Sequence, residues 1–291
     1  MNLLDLFSGI GGFHLGLEKA GFKINSFNSE INKYANQVYK NNFKNSTYVG
    51  SVEDVRGSDL PRINAVTFGS PCQDFSLAGK QKGMGGERSS LILEAIRLVK
   101  ECRPDFFIWE NVKGTFSSNS GEDFAAILQA FTNIGGYRLE WQLLNTKWFL
   151  PQNRERVYLV GYTSNKSGGQ IFPITRKSKG TIKNNKINIG SARTRKYMNQ
   201  AQKLEIRNDN STNTLTSVQK DNYVLGYYRD QFIDSIRKLT PLECERLQGF
   251  PDDWTKFGTE GLISNTQRYK MCGNAVTVDV VEAVGKKILK L

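Results

Sequence analysis

The feature that most constrains the fold of this chain is a glycine-rich loop between an apolar segment and an amphipathic one at its start. Residues 3–7 have the pattern of a buried strand, and residues 8–12 that of a tight loop. Residues 13–20 then have helical spacing and end before Gly21. Glycines at such a junction let the backbone approach a ligand closely. The segment therefore predicts the first unit of a ligand-binding sheet.

The same alternation continues through the first half of the chain. Further strands are predicted at residues 23–28, 63–68, 105–109, 137–145 and 156–162, and further helices at 33–41, 90–102 and 124–134. Later in the chain, helices are predicted after an N-cap at Thr240 and at residues 276–291. Strands that alternate with helices form an open, mostly parallel sheet with helices on both faces. We therefore expect an α/β fold in which ligands bind at the carboxyl ends of the strands.

Positive charge is concentrated in one part of the chain. The net charge is +12, and residues 164–229 contain 13 Lys/Arg against 3 Asp/Glu. The composition there changes to Ser, Asn, Lys, Gly and Thr, which indicates a small separate domain or a set of long loops. A charge run is commonly just a solvated surface. For so large an excess, a polyanionic partner such as nucleic acid is the simplest function.

The cysteines and the single histidine exclude several classes of site. Four cysteines lie far apart without a Cys-x-x-Cys pair: Cys72, Cys102, Cys244 and Cys272. We expect free thiols rather than a zinc cluster or a disulfide framework. His14 is interpreted as a partly buried residue of the first helix rather than a member of a catalytic triad. No run of about 18 apolar residues occurs, and a cytoplasmic protein is expected.

Cys72 is the candidate nucleophile. It follows Pro71 after the predicted strand 63–68 and opens a glycine-punctuated loop, a place where a side chain is displayed. The alternative is a buried and inert cysteine. Residues 78–88 then contain four glycines and three Lys/Arg, a composition that favours a mobile cationic lid.

Acid and guanidinium groups follow further along the chain. Glu110 ends the apolar strand 105–109, so its carboxyl is expected to be partly desolvated and able to donate a proton. Gln152, Arg154 and Arg156 alternate, which turns all three to one side in an extended segment. Two guanidinium groups there are suited to hold a carbonyl oxygen and a phosphate.

Glu30 is the candidate ligand for a ribose. It lies 18 residues past Gly12, near the end of the second predicted strand. An acid at that place accepts hydrogen bonds from the two ribose hydroxyls of a bound nucleoside. The alternative is an ordinary acid at the start of a helix, and the glycine loop is what favours the ribose.

Taken in order, six motifs closely resemble those of the DNA (cytosine-5) methyltransferase family of bacterial and phage restriction-modification systems. They are residues 5–12 (DLFSGIGG), 69–73 (GSPCQ), 110–112 (ENV), 152–156 (QNRER), 247–251 (LQGFP) and 273–276 (GNAV). The similarity covers nearly the whole chain apart from the basic segment.

The resemblance implies a Rossmann-like S-adenosylmethionine-dependent methyltransferase fold with a small target-recognition domain. A catalytic and cofactor-binding domain would occupy residues 1–163 and the target-recognition domain 164–262, with 263–291 returning to the first domain. The enzyme would move a methyl group from S-adenosylmethionine to carbon 5 of a cytosine flipped out of duplex DNA, through a covalent Cys72 adduct. The implied partners are double-stranded DNA and a separately acting restriction endonuclease, with no membrane or metal. A monomer at the nucleoid is expected.

The resemblance also assigns site residues. The catalytic ones are Cys72, Glu110, Arg154 and Arg156. The residues assigned to the cofactor are Phe7, Gly9, Ile10, Gly11, Gly12, Glu30, Ile31, Ser51, Val52, Pro71, Leu91, Asn274 and Ala275. DNA contacts fall to Ser76, Lys80, Arg88, Gln152, Thr214 and Leu215. The family usually has Asp-Ile at Ser51-Val52, so the Ser51 hydroxyl or the Val52 backbone would replace that carboxylate at the adenine amino group.

Three rival functions share parts of this pattern. A methyltransferase for an exocyclic amine needs an Asp/Asn/Ser-Pro-Pro-aromatic loop, where this chain has Ser70-Pro71-Cys72-Gln73. A transfer-RNA cytosine-5 methyltransferase of the same superfamily normally carries a late Cys-Phe-Thr block, which this sequence lacks. A catalytically inactive DNA-binding relative would not need to keep all four reactive side chains. DNA methylation is therefore the expected function.

Overall fold

A computed structural model of the chain describes residues 1–69, 91–163, 169–175, 211–217, 223–228 and 231–291. The strands are β1 (Asn2–Leu6), β2 (Asn25–Ser29), β3 (Thr47–Tyr48), β4 (Ala65–Phe68), β5 (Phe106–Val112), β6 (Tyr137–Asn145), β7 (Gln152–Asn153), β8 (Glu155–Thr163), β9 (Thr212–Asn213), β10 (Tyr223–Tyr228), β11 (Gln231–Lys238), β12 (Phe257–Gly258) and β13 (Gly261–Leu262). The α-helices are α1 (Gly12–Ala20), α2 (Lys33–Asn42), α3 (Leu91–Cys102), α4 (Glu122–Ile134), α5 (Pro241–Leu247), α6 (Asn265–Asn274) and α7 (Val278–Ile288).

Seven strands form the central sheet, in the order β3-β2-β1-β4-β5-β8-β6. The strands from β3 to β5 are parallel, whereas β8 runs antiparallel to both β5 and β6. An antiparallel edge on an otherwise parallel sheet is common in folds of this class. The predicted α/β fold with a mostly parallel sheet is confirmed.

Helices cover both faces of the sheet, because the side chains of each strand alternate between two cores. On β5, Phe107 and Trp109 pack with α3 and α4, and Phe106 and Ile108 pack with α1 and α7. Successive side chains of a strand point to opposite faces. Glu110 follows Ile108 by two residues and therefore lies on the α1/α7 face, at the carboxyl end of β5.

The strand order reverses between β1 and β4. From β1 the chain adds β2 and β3 on one side, and then crosses back to place β4 on the other side of β1. In open α/β sheets the crevice beyond the carboxyl ends of two such strands is the usual ligand site. The loop after Leu6 and the residue after Phe68 both lie at this crevice.

The C-terminal part of the chain packs against the sheet domain. Helix α7 lies beside α1 so closely that a Cβ on Gly16 would be 2.5 Å from Val281 Cβ. Asn42, the last residue of α2, contacts the backbone of Trp254: its Nδ2 donates to Trp254 O at 3.1 Å. The backbone at Trp254 therefore lies against α2 of the sheet domain.

Secondary structure agrees with the sequence except in a few segments. The strand predicted at 137–145 has those bounds, whereas β5 runs on to Val112. Helix α6, the short strand β3 and the strands from β9 to β13 were not predicted. In the described part of the chain, no helix is long and apolar enough to cross a membrane.

Candidate active site

The glycine loop turns sharply because several of its residues adopt left-handed backbone angles. Phe7 and Gly9 both have φ 52°, and Gly11, which precedes α1, has φ 85°. Gly11 N donates to Ser8 O at 2.9 Å, which closes the turn. A Cβ on Gly11 would lie 2.3 Å from Phe43 Cε2, so both the backbone angle and the close approach require glycine there.

Glu30 holds this loop from the end of β2. Its Oε2 accepts a hydrogen bond from Gly9 N at 2.9 Å, and its Oε1 accepts one from Asn32 N at 2.7 Å. Each carboxylate oxygen keeps a further lone pair, so the carboxylate can still accept hydrogen bonds from two hydroxyls. The next side chain, Ile31, is 80% exposed. A carboxylate beside an exposed apolar side chain fits a nucleoside such as the one in S-adenosylmethionine.

Not every residue assigned to the cofactor can offer its side chain. Ile10 and Val52 are buried in core clusters, so only their backbones can reach a ligand. Gly12 allows Val276 to pack closely against the start of α1, because a Cβ on Gly12 would lie 2.6 Å from Val276 Cγ1. Phe7 and Ser51 are half-buried, and so is Leu91 at the start of α3.

Arg154 lies behind the C-terminal part of the assigned cofactor site. Its Nη1 donates to Gly273 O at 3.2 Å and its Nη2 to Ala275 O at 3.0 Å. Arg154 is 3% exposed. The two carbonyls flank Asn274, which is exposed. The guanidinium holds the turn that presents Asn274 and Ala275, and the catalytic role of Arg154 stays a prediction.

Glu110 and Arg156 form the charged pair of the site. Arg156 Nε lies 3.2 Å from Glu110 Oε1. Glu110 pairs with Tyr158 and Val112 pairs with Arg156 in the antiparallel β5–β8 ladder, so Glu110 and Arg156 are diagonal neighbours on one face. Glu110 is 9% exposed, and among the described residues no hydrogen bond reaches its Oε1. The Glu110 carboxyl is thus oriented by a neighbouring cation and has hydrogen-bonding capacity left for a substrate.

The loop that carries Cys72 begins beside this acid. A Cβ on Gly69 would lie 3.3 Å from Glu110 Oε2, because Phe68 pairs with Trp109 in the β4–β5 ladder. Cys72 is three residues further on and therefore within about 11 Å of Gly69, at the maximum reach of about 3.6 Å per residue. Cys72 lies outside the described residues, together with the assigned Pro71, Ser76, Lys80 and Arg88.

Two of the residues assigned to DNA are buried. Gln152 is 0% exposed, with its Nε2 donating to Leu247 O at 2.8 Å and its Oε1 accepting from Leu215 N at 3.0 Å. Leu215 is 3% exposed and packs in a cluster with Leu239, Leu247 and Tyr269. Residues distant in sequence cover both side chains, and contact of Gln152 and Leu215 with DNA stays a prediction.

Thr214 lies next to these buried residues and is half-buried itself. Its Oγ1 donates to Asn153 O at 2.8 Å. One threonine hydroxyl has a single proton to donate but two acceptor lone pairs, so Thr214 can still accept a hydrogen bond. Its assignment to DNA stays a prediction.

Sequence reasoning missed a buried polar group behind the glycine loop. Asp5 Oδ1 accepts from Thr67 Oγ1 at 2.7 Å, and burial raises the pKa of Asp5 to about 8. Nearby, His14 Nδ1 lies 2.9 Å from Tyr39 Oη, and burial lowers the pKa of His14 to about 3. Asp5 is part of the first motif, but a strand residue pattern does not reveal that its side chain faces the core.

Sequence reasoning also missed Trp254. Its Nε1 donates to Ile10 O at 2.9 Å, so the indole supports the glycine loop from 244 residues along the chain. Its ring packs against Phe43 and Phe250, at centroid distances of 5.5 and 5.6 Å. The tryptophan follows the LQGFP motif by three residues, and this proximity was the one available signal.

The comparisons with known proteins agree with one another. A family model described as C-5 cytosine-specific DNA methylase matches residues 1–234 and 171–290. The chain is 34% identical to the type II methyltransferase M.NgoBI of Neisseria gonorrhoeae, over 97% of this chain and 91% of that protein. It is 33% identical to the type II methyltransferase M1.ScrFI of Lactococcus lactis subsp. cremoris, over 99% of this chain and 78% of that protein.

Solved structures show the same fold. The S. pombe Dnmt2 methyltransferase superimposes with a TM-score of 0.73 at 20% identity, covering 100% of this chain and 98% of that one. A DNA modification methyltransferase encoded within an E. coli prophage superimposes with a TM-score of 0.69 at 21% identity, covering 100% and 99%.

Proposed function

The chain belongs to the C-5 cytosine-specific DNA methylase family, and we propose that Cys72, Glu110 and Arg156 carry out the methylation of a cytosine in duplex DNA. The enzyme is a DNA (cytosine-5-)-methyltransferase of the restriction-modification type. The proposed site rests on the Glu110–Arg156 pair, whose atoms lie 3.2 Å apart. The pair lies next to Gly69, after which the chain continues to Pro71 and Cys72.

Cys72 supplies the nucleophile. Its thiolate sulfur forms a bond to carbon 6 of cytosine, and the electron pair of the 5,6 double bond moves to carbon 5. S-adenosylmethionine, when bound, supplies an electrophilic methyl group on a sulfonium. After carbon 5 has accepted the methyl group, a base removes its proton. The thiolate then leaves carbon 6 and the double bond returns.

Glu110 and Arg156 stabilise the charge that this addition creates. The Glu110 carboxyl donates a proton or a hydrogen bond to ring nitrogen 3, where negative charge collects when sulfur adds. Arg156 donates to oxygen 2 of the ring and also holds Glu110 in orientation. The antiparallel β5–β8 pair fixes both groups before substrate arrives, so little reorganisation is needed.

The cofactor site is proposed at the crevice between β1 and β4. Glu30 would accept the ribose hydroxyls, and Ile31 would pack on the adenine. Phe7, Gly9 and Gly11 would line the loop, Ser51 and the Val52 backbone would meet the adenine edge, and Asn274 and Ala275 would close the far side. The exposed Ile31 beside the fixed Glu30 carboxylate supports this arrangement.

Double-stranded DNA is the proposed partner of the basic segment. Its excess of Lys/Arg would neutralise phosphates, and Ser76, Lys80, Arg88 and Thr214 stay the candidates for closer contacts. We propose that the target-recognition domain occupies residues 164–262. A monomer with a separately acting restriction endonuclease is proposed, at the host's DNA in the bacterial cytoplasm.

Expression of the chain in a host that lacks cytosine-5 methylation tests this function. Bisulfite sequencing of the host DNA is expected to show methylcytosine at one short recurring sequence, and none in cells expressing Cys72→Ala. Methylcytosine in transfer RNA but not in DNA would replace the proposed substrate. Unmodified nucleic acid of both kinds would refute the function.

A further inference from the structure

Gln152 is buried at a junction of three segments that the proposed function brings together. We propose that it is a positioning residue that seats residues 211–217, hereafter the 211–217 segment, between the catalytic strand β8 and the turn that carries Asn274. The proposal rests on the proposed function, because it gives the basic domain a fixed attachment to the catalytic site. Gln152 acts through the backbone of Leu215 and not by touching DNA.

The primary amide of Gln152 makes a hydrogen bond at each of its two ends. Nε2 donates to Leu247 O in α5 at 2.8 Å, and Oε1 accepts from Leu215 N at 3.0 Å. Both partners are backbone groups, so the glutamine fixes the path of two chain segments rather than the rotamers of side chains. A buried amide whose two ends are both satisfied specifies one arrangement, because any shift leaves a buried polar group without a partner.

The neighbouring backbone extends this attachment. Strand β7 pairs in parallel with β9, with Gln152 opposite Thr212 and Asn153 opposite Asn213. Thr212 N donates to Pro151 O at 2.8 Å, and Thr214 Oγ1 donates to Asn153 O at the same distance. The 211–217 segment is therefore bound along its first half to the residues that lead into β8.

Gly273 contacts the second half of the 211–217 segment, at Thr216 and Ser217. A Cβ on Gly273 would lie 2.5 Å from Thr216 C, Thr216 O and Ser217 N, so only glycine permits this approach of two backbones. Gly273 O also accepts the hydrogen bond from Arg154 Nη1, and Asn274 follows it directly. The glycine of the GNAV motif is thus explained by contact with the 211–217 segment.

These contacts fix the position of the 211–217 segment relative to the proposed catalytic residues Arg156 and Glu110. Arg156 lies four residues after Gln152 and is fixed in the β5–β8 ladder opposite Val112. A shift of the 211–217 segment would move the attached basic domain relative to Arg156 and Glu110, and a misplacement of about 1 Å can cost about 100-fold in rate. We therefore expect Gln152 to control how well bound DNA presents its cytosine.

Gln142 on β6 offers a matched control. Its Nε2 donates to Ile174 O at 3.1 Å and its Oε1 accepts from Ile174 N at 2.8 Å, so this half-buried amide also bonds to backbone groups, but to those of one residue instead of two segments. Gln142→Leu and Gln152→Leu each replace an amide by an apolar side chain of similar size. We expect Gln152→Leu to raise the KM for unmethylated bacterial genomic DNA at least tenfold, and Gln142→Leu to change it less than twofold. The Kd for S-adenosylmethionine should change less than threefold in both, which also shows that both fold.

A second variant distinguishes positioning from mere packing. In Gln152→Glu, the protonated acid can donate to Leu247 O and accept from Leu215 N, whereas the carboxylate loses the donor and faces a carbonyl. Burial favours the neutral form of an acid, so protonation is within reach of mildly acidic assays. We expect kcat/KM of Gln152→Glu relative to the unmodified enzyme to fall at least tenfold from pH 5.5 to pH 8.5. The ratio for Gln142→Glu should change much less.

Two results would overturn the proposal. Equal KM values for DNA in Gln152→Leu and Gln142→Leu would do so, as would a Gln152→Glu ratio that does not depend on pH. If the unmodified enzyme transferred no methyl group to DNA, the proposed function would fail instead. Filter binding of the same DNA would then decide the role of Gln152, with at least tenfold weaker binding expected for Gln152→Leu alone.

Discussion

At the scale of single residues, the account depends on Glu110 and its orientation by Arg156. Glu110→Gln keeps the size and the hydrogen-bonding shape but removes the acidic proton. General acid catalysis contributes about 100- to 10,000-fold. We expect methyl transfer, measured with tritiated S-adenosylmethionine, to fall by that order. The Kd for the cofactor should stay within about twofold, and unchanged turnover would refute the role of Glu110 as an acid.

The two arginines of the QNRER motif are expected to differ in what they support. Arg156→Ala should lower kcat and leave cofactor affinity unchanged, because Arg156 pairs with Glu110. Arg154→Ala should weaken the binding of S-adenosylmethionine about tenfold, because it frees the carbonyls of Gly273 and Ala275. Isothermal titration of the cofactor separates the two variants. Cofactor affinities equally reduced in both would contradict this division.

Asp5 gives the protein a pH dependence of stability that can be isolated. Burial raises its pKa from 3.8 to about 8, so between these values the folded state holds the extra proton and stability falls as pH rises. Burial lowers the pKa of His14 from 6.5 to about 3, which makes stability fall as pH falls below 6.5. Below pH 6.5, the effects of Asp5 and His14 on stability have opposite signs. Above pH 6.5, only the effect of Asp5 remains of the two.

Asp5→Asn should therefore flatten the stability profile in mildly alkaline solution. Urea unfolding at intervals from pH 6.5 to 8 should show the unmodified protein losing about 1 kcal/mol per pH unit more than the variant. Asparagine can still accept the hydrogen bond from Thr67, so the contrast is one of charge. Parallel profiles for the two proteins would show that Asp5 is ionised in the fold.

Residues at strand ends were the ones that sequence could assign. Glu110 and Glu30 follow apolar strands, and the sheet architecture brings such positions to one edge. The alternation of Gln152, Arg154 and Arg156 was a poorer guide to which side chains are accessible. Gln152 and Arg154 are covered by α5, by the 211–217 segment and by the end of α6. Burial by segments about 60 to 120 residues away leaves no local signal.

At the scale of elements, the glycine loop depends on a support from the far end of the chain. Trp254→Phe keeps an aromatic ring but removes the donor to Ile10 O. Loss of one such hydrogen bond costs about 0.5–1.5 kcal/mol, which predicts about 2- to 13-fold weaker binding of S-adenosylmethionine. Trp141→Phe, in the half-exposed tryptophan of β6 that packs on Phe124, is the control. Equal cofactor affinities in both variants would argue against the support.

Helix α6 shows why one element escaped prediction. Its sequence, NTQRYKMCGN, has few apolar residues and no clear apolar stripe. The helix is held by a buried ion pair, with Arg268 Nη2 2.8 Å from Glu245 Oε1 in α5, and by the packing of Tyr269, Met271 and Cys272. Long, periodic segments such as α3 and α7 were predicted within two or three residues, because their apolar faces alone specify the helix.

At the scale of the whole molecule, both ends of the chain build one site. The N-terminal glycine loop, the acid of β5 and the turn after α6 come together because α7 packs beside α1 and Trp254 reaches Ile10. The sheet and its ligand edge followed from strand and helix alternation. The division into domains stays a prediction, because composition changes near residue 164 but marks no return to the first domain.

The central claim is that Cys72 forms a covalent bond to the target cytosine. A duplex that carries 5-fluorocytosine at the methylated position tests it most directly, because fluorine cannot leave as a proton does and the thiolate cannot be eliminated. We predict a denaturation-resistant protein–DNA complex that forms only with S-adenosylmethionine, with the modified base on the Cys72 peptide in mass spectrometry. Cys72→Ser should form none. A complex on another residue, or continued methylation by Cys72→Ser without an adduct, would contradict the account.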